Sequence, residues 1–249
     1  MIITTLGTSH GDHTYCRFNS STLFDVGGNL YLIDAGAPVN ALMIRSQKSF
    51  GRLKAVFITH MHDDHVGGLP GLIKTLIKYP LIDQHTNIFL PEEEAIPALY
   101  GWLKAQHLEL PSPWVSVKPV KTGLIYDDGV LKVNSSGTKH LYHPDHPISF
   151  SYALEAENKK VMCTGDLSSD FSDFPRILQT ESYDLCICEA THYSPYEALD
   201  TLRKALVNRM IFNHIHNPWH GDGENKLKEI YAGLPYPFDI AHDGDRFEL

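Results

Sequence analysis

The chain has 249 residues, enough to fill the core of one large domain or two small ones. Hydrophobic residues make up 43% and charged residues 20%, a globular balance, and no apolar run approaches the roughly 20 residues that span a bilayer, so a membrane partner is not expected. The formal net charge of −9 argues against capture of a long polyanion, so nucleic acid is not an expected partner; a small anionic substrate stays compatible, because bound cations would dominate the local field.

In chain order, residues 2–6 read as a first β-strand, because they lack the basic and long apolar segments of a signal peptide. Strands are expected at 21–26 and, after the Gly27-Gly28 turn, at 29–34. A short apolar strand at 53–59 runs into a cluster of histidines. Residues 69–79 carry leucine and isoleucine at helical spacing, and Pro80 stops them. The stretch 80–119 holds six prolines together with Trp102 and Trp114. It reads as an inserted helical segment or lid, or as a pair of surface helices. Strands return at 131–134, 148–156, 160–164, 183–188 and 209–213. A helix at 197–206 has Leu199, Leu202 and Leu206 on one face. Strands alternating with a few helices predict a layered α/β sandwich, in one domain over 1–249. Cys16, Cys163, Cys186 and Cys188 lack the spacing of a disulfide scaffold, and Cys186 and Cys188, on one side of an expected strand at 183–189, fit buried thiols in a reducing cytoplasm.

The run Thr59-His60-Met61-His62-Asp63-Asp64-His65 carries the strongest chemical signal. A strand ending in His-x-His-x-Asp-His puts imidazoles and a carboxylate into one tight loop, a ligand set that suits zinc and similar metals. Four ligating side chains in six residues do not easily serve one ion, so the pattern implies two adjacent ions. Zinc is the first expectation, and manganese and iron accept the same ligands.

This motif resembles that of the metallo-β-lactamase superfamily, and its later motifs follow in order. A strand leads to His140, a Gly-Asp turn after a strand gives Asp166, and His214 closes another strand. The resemblance implies an αββα four-layer sandwich and a hydrolase acting through a metal-bridging hydroxide. His60, His62 and His140 would hold one metal and Asp64, His65 and His214 the other, with Asp166 bridging. Asp64 would also help hold the hydroxide. His143 and His146 lie in the same loop as His140, and either can replace it.

Within the superfamily, Leu6-Gly7-Thr8-Ser9-His10-Gly11, Leu32-Ile33-Asp34-Ala35-Gly36 and Cys188-Glu189-Ala190-Thr191 resemble the branch of transfer-RNA 3′-processing endonucleases and related phosphodiesterases. There a histidine beyond the Glu-Ala-Thr donates a proton. Here His192 follows directly, with Glu189 to orient it, and His216 is a second candidate for that role. His10 can line the pocket or cap a loop. Trp219-His220-Gly221-Asp222-Gly223 reads as a flexible rim.

The function expected is hydrolysis of a small phosphodiester. A lactone or thioester hydrolase and a ribonuclease are the enzyme alternatives, and a redox or sensor module on the same fold is the non-enzyme one. His62 stands where oxygen-reducing relatives carry glutamate, which favours hydrolysis. No glycine- and lysine-rich arm of the kind that clamps RNA is visible. A homo-oligomer is compatible with the sequence.

Overall fold

A computed structural model describes residues 1–79 and 85–249. Contacts divide the chain into two compact units, one formed by residues 1–121 and 243–248, the other by 122–242 with Leu249.

The first unit is built on β1 (Ile2–Gly7), β2 (Ser21–Val26), β3 (Asn29–Ile33), β4 (Leu53–Phe57), β5 (Thr86–Leu90), β6 (Val115–Pro119) and the last strand of the chain, β14 (Asp245–Glu248). Their order is β14-β1-β2-β3-β4-β5-β6. Pairing is antiparallel from β14 to β3 and parallel from β3 to β6. Gly27 and Gly28, both at positive φ, make the tight β2–β3 turn. Helices α1 (Val39–Arg45), α2 (Asp63–Val66), α3 (Leu69–Lys78) and α4 (Ala95–Ala105) complete the unit. Leu69, Leu72, Ile73 and Leu76 form the buried stripe of α3. They share one core with Leu32, Val56 and Ile88 of the sheet and Val39, Leu42 and Met43 of α1. Burial of this apolar surface fixes which way the strand ends face.

The proposed insert at 80–119 begins at residues 80–84, which lie outside the described residues. Its remainder is a departure from the expectation: β5 and β6 extend the first sheet, with only α4 between them. A short apolar parallel strand such as Ile88-Phe89-Leu90 lacks the alternation that marks a strand in sequence. Trp102 is exposed on α4, whereas Trp114 packs against the core.

The second unit contains β7 (Gly123–Asp127), β8 (Lys132–Gly137), β9 (Phe150–Ala156), β10 (Lys159–Cys163), β11 (Leu185–Ala190), β12 (Met210–Ile215) and β13 (Phe238–Ile240), in the order β13-β12-β11-β10-β9-β8-β7. Pairing is antiparallel from β7 to β10 and parallel from β10 to β13. Helices α5 (Pro195–Leu202) and α6 (Gly223–Tyr231) bury Ala198, Leu202, Leu227 and Tyr231 against Cys186, Cys188, Met210 and Phe212. Of the rim expected at 219–223, Trp219 ends a short 3-10 turn (Asn217–Trp219) and Gly223 begins α6. Both units therefore have a mixed sheet with flanking helices, the α/β class that the sequence predicts. Among the described residues no helix is long and apolar enough to cross a membrane.

Candidate metal centre

In the first unit, ligand candidates gather where β3 and β4 end. The chain leaves β4 through Ile58 and Thr59, and Asp34 follows β3 at φ 60°. His60 is fully buried, His62 is exposed, and Asp64 and His65 are buried in the first turn of α2. His60 Nε2 lies 3.0 Å from His62 Nδ1, and His65 Nε2 lies 3.2 Å from Asp64 Oδ2. This turn seats closely on the end of β3. A Cβ on Gly36 would fall 2.2 Å from the Asp64 carbonyl oxygen, and one on Gly68 would fall 2.7 Å from that of Ala35. Only glycine permits both approaches.

Beneath the histidines is a polar hub to which the sequence alone assigns no role. The Asp34 carboxylate accepts the Thr59 amide at 2.7 Å and the Thr59 hydroxyl at 3.0 Å, and lies 2.8 Å from His65 Nδ1. The Thr59 hydroxyl is also 3.1 Å from His60 Nδ1. A carboxylate on Nδ1 fixes the imidazole tautomer and presents Nε2 to a metal. The one sequence signal for Asp34 is an aspartate at the end of an apolar strand, within Leu32-Ile33-Asp34-Ala35-Gly36.

In the second unit the corresponding groups come from the ends of β8, β10, β11 and β12. Asp166 follows Gly165, which is at φ 58°. Its Oδ2 is 3.4 Å from His214 Nε2, 3.7 Å from His140 Nε2 and 3.7 Å from His192 Nδ1. Ligand atoms of Asp166, His192 and His214 lie within 4.8 Å of one another. His214 has φ 51°, an uncommon conformation for a non-glycine residue. The Thr191 hydroxyl donates to its carbonyl and holds it there. Of the three loop histidines, His140 is the one beside Asp166. His143 and His146 are exposed and pair with each other, ring centroids 4.1 Å apart.

Glu189 organises the turn after β11. One carboxylate oxygen accepts the Leu167 amide at 2.6 Å, and the other accepts the amides of Thr191 at 3.0 Å and His192 at 2.9 Å. The second oxygen also lies 2.8 Å from His192 Nδ1. Burial pushes the Glu189 carboxyl above its usual range, and the His192 hydrogen bond pulls the other way. His192 is only partly buried. With Nδ1 on Glu189, its Nε2 is the nitrogen turned away from that carboxylate. His216 is exposed, at the start of the short turn after β12. His10 is buried after β1, and the Asn19 amide donates to its carbonyl at 3.5 Å.

Buried imidazoles and carboxylates in such density are the donor set of a transition-metal ion, and each unit offers them at the carboxyl ends of its parallel strands. Mixed sheets with flanking helices, the His-x-His-x-Asp-His turn and the Gly-Asp turn together define the metallo-β-lactamase fold with a candidate metal centre. The family model described as anti-Pycsar protein Apyc1 matches residues 1–229, and the chain belongs to that family.

Among curated relatives, ribonuclease Z of Crocosphaera subtropica is 32% identical over 146 residues, covering 56% of this chain and 45% of that protein. Ribonuclease BN of Cronobacter sakazakii is 30% identical over 167 residues, covering 64% and 51%. The chain thus spans about half the length of the curated relatives it matches. Among solved structures, the short form of human tRNase Z has a TM-score of 0.76 at 21% identity, covering 100% of this chain and 99% of that one. The metallo-β-lactamase fold protein YhfI from Bacillus subtilis has a TM-score of 0.78 at 20% identity, with 99% of each covered. A diphosphatase of the PhnP family has a TM-score of 0.70 at 20% identity, covering 100% and 97%.

These relatives correct one expectation. The net charge sets nucleic acid aside as a partner, yet the curated relatives are named as ribonucleases and one similar structure is a tRNase. The physical reason is that −9 is a sum over the whole chain. It does not report the field beside bound cations or at one local patch.

Proposed function

We propose that this hydrolase is a two-metal phosphodiesterase acting on a small phosphodiester. In this reading His60, His62 and His140 hold one ion, Asp64, His65 and His214 hold the other, and Asp166 serves both. Zinc suits these ligands, and manganese and iron are accepted. The buried imidazole–carboxylate sets on each unit support the reading. Divalent ions held by them would supply Lewis acidity toward the phosphoryl oxygens and activate water.

The chain's own residues supply the rest. Asp34 and Thr59 keep His65 and His60 in the tautomer that ligation needs. Asp64 carries a carboxylate beside His65, suited both to ligation and to orienting the attacking water. The observation that carries the phosphodiester reading is the chain of contacts from Glu189 through His192 to Asp166. An alkoxide leaving a phosphodiester is a poor leaving group and needs a proton. A partly exposed imidazole braced by a buried carboxylate is fitted to deliver one from Nε2. His216, exposed beyond β12, is the alternative carrier.

A second reading is favoured by the names of the curated relatives: the phosphodiester is part of an RNA. Metal analysis of the purified protein, paired with turnover of a chromogenic phosphodiester, cyclic nucleotides, a precursor transfer RNA, a lactone and a thioester, tests both. Turnover of small diesters with about two ions per chain supports the first reading. Site-specific cleavage of the precursor with poor turnover of every small diester moves the function to the second. Turnover of the lactone or thioester alone overturns both.

A further inference from the structure

The first unit contains a cavity of about 620 Å³ lined by Tyr15, Phe18, Arg45, Lys48, Asp243 and Arg246, among others. None of His60, His62, Asp64 or His65 lines it. Its charge runs against that of the chain, with three cationic side chains and one carboxylate in a protein of net charge −9.

The carboxylate is turned inward. One oxygen of Asp243 accepts the Thr8 hydroxyl at 2.7 Å and the other accepts the Phe18 amide at 2.7 Å. The cations are loosely committed. Lys48 is 3.7 Å from Asp25, whose carboxylate is held more closely by Arg52. Arg246 pairs with Glu248 in an exposed ion pair, a kind that contributes little and exchanges readily with another anion. Arg45 lies over the Phe18 ring, 5.8 Å from its centroid, which leaves its N–H edges available for a phosphate. At the mouth, Tyr15 is fully exposed. A large aromatic ring in water beside three cations is the pairing that single nucleic-acid strands use, with the base on the ring and the phosphate on the cations.

We propose that this cavity binds a nucleoside phosphate, as a free nucleotide or as one unit of a single RNA strand. The site goes beyond the metal-centre reading and stands whether or not that reading survives, because it is measured by binding and not by turnover. The probe is a fluorescein-labelled 2′-O-methyl oligonucleotide of twelve residues, which resists cleavage. Anisotropy is recorded over a salt series on the metal-loaded protein, and adenosine monophosphate competes in a second arm.

Arg45→Ala with Arg246→Ala should weaken binding about tenfold and flatten the salt dependence by roughly 0.7 for each phosphate that is no longer neutralised. Tyr15→Ala should weaken it roughly fivefold or more, and Tyr15→Phe should restore it. The circular dichroism spectrum and melting temperature of these variants should match the parent's, which reports an intact fold. Competition by the mononucleotide assigns the site to a single nucleotide. Binding of the strand without such competition assigns it to RNA. The proposal is overturned if the cavity variants bind like the parent, or if Lys204→Ala with Lys226→Ala, on the second unit, reduces binding equally.

Discussion

The two units use one pairing scheme, three antiparallel neighbours followed by three parallel ones, yet they assemble their ligands differently. In the first unit the four metal-seeking side chains lie within six residues of one turn, and a short-range hub of Asp34 and Thr59 steadies them. In the second they come from separate strand ends, and Asp166 is where they meet. A ligand set in one turn is robust in register and depends on close backbone seating. A ligand set spread over strand ends depends on its central carboxylate and on the bonds that hold each strand end in place.

This contrast predicts a ranking of losses. Asp166→Ala removes the meeting point of the dispersed set and should take phosphodiester turnover below detection, measured as kcat/KM. A variant that keeps a tenth of the activity would break the comparison. His192→Ala should follow, with losses of roughly 10²–10⁴ on a poor leaving group and little loss on a nitrophenolate. Equal slowing on both substrates would remove its proton-donor role.

Asp34→Asn acts on the compact set and should lower metal affinity roughly 10–100-fold, read by chelator competition. Gly36→Ala should destabilise the fold by about 1–3 kcal/mol or more, because its Cβ would meet the Asp64 carbonyl. Gly71→Ala, whose Cβ meets nothing nearer than 3.6 Å, is the control and should melt at or above the parent temperature. The smallest effect is chemical. Cys16 of the first unit is exposed, while the three thiols of the second are buried, with burial pushing Cys188 up to about 12. A maleimide should therefore label one site per native chain, counted by intact mass.

The same contrast explains what is legible in the sequence. His60, His62, Asp64 and His65 announce themselves because their spacing is local. Asp166 and His214 emerge through motif order. His140 is chosen over His143 and His146 only because it ends the expected strand, since a loop with three histidines gives no spacing to choose by. Asp34 and Thr59 do not show as a pair because their hydrogen bond joins positions 25 residues apart. Most strands are visible by apolar pattern. By contrast, β5, β6, β7, β13 and β14 are short, and the buried ones show no alternation. Net charge does not decide the nucleic-acid question, because it is a sum over the whole chain and does not report one local patch.

The strand β14 has a consequence for synthesis. It pairs with β1, Ile2 opposite Glu248, across a wide sequence separation, and Asp243 just before it anchors Thr8 and Phe18. A ribosome emits β1 first and its outer neighbour near the end. Until then β1 has one open edge, and the loop it leads into lacks its anchor. Open edges invite pairing with other chains. A chain cut after residue 121 should therefore aggregate, and one in which residues 243–248 are rejoined through a short linker should not. Completion of the first sheet is thus timed by translation of residues 243–248 and not by that of the segment carrying its other six strands.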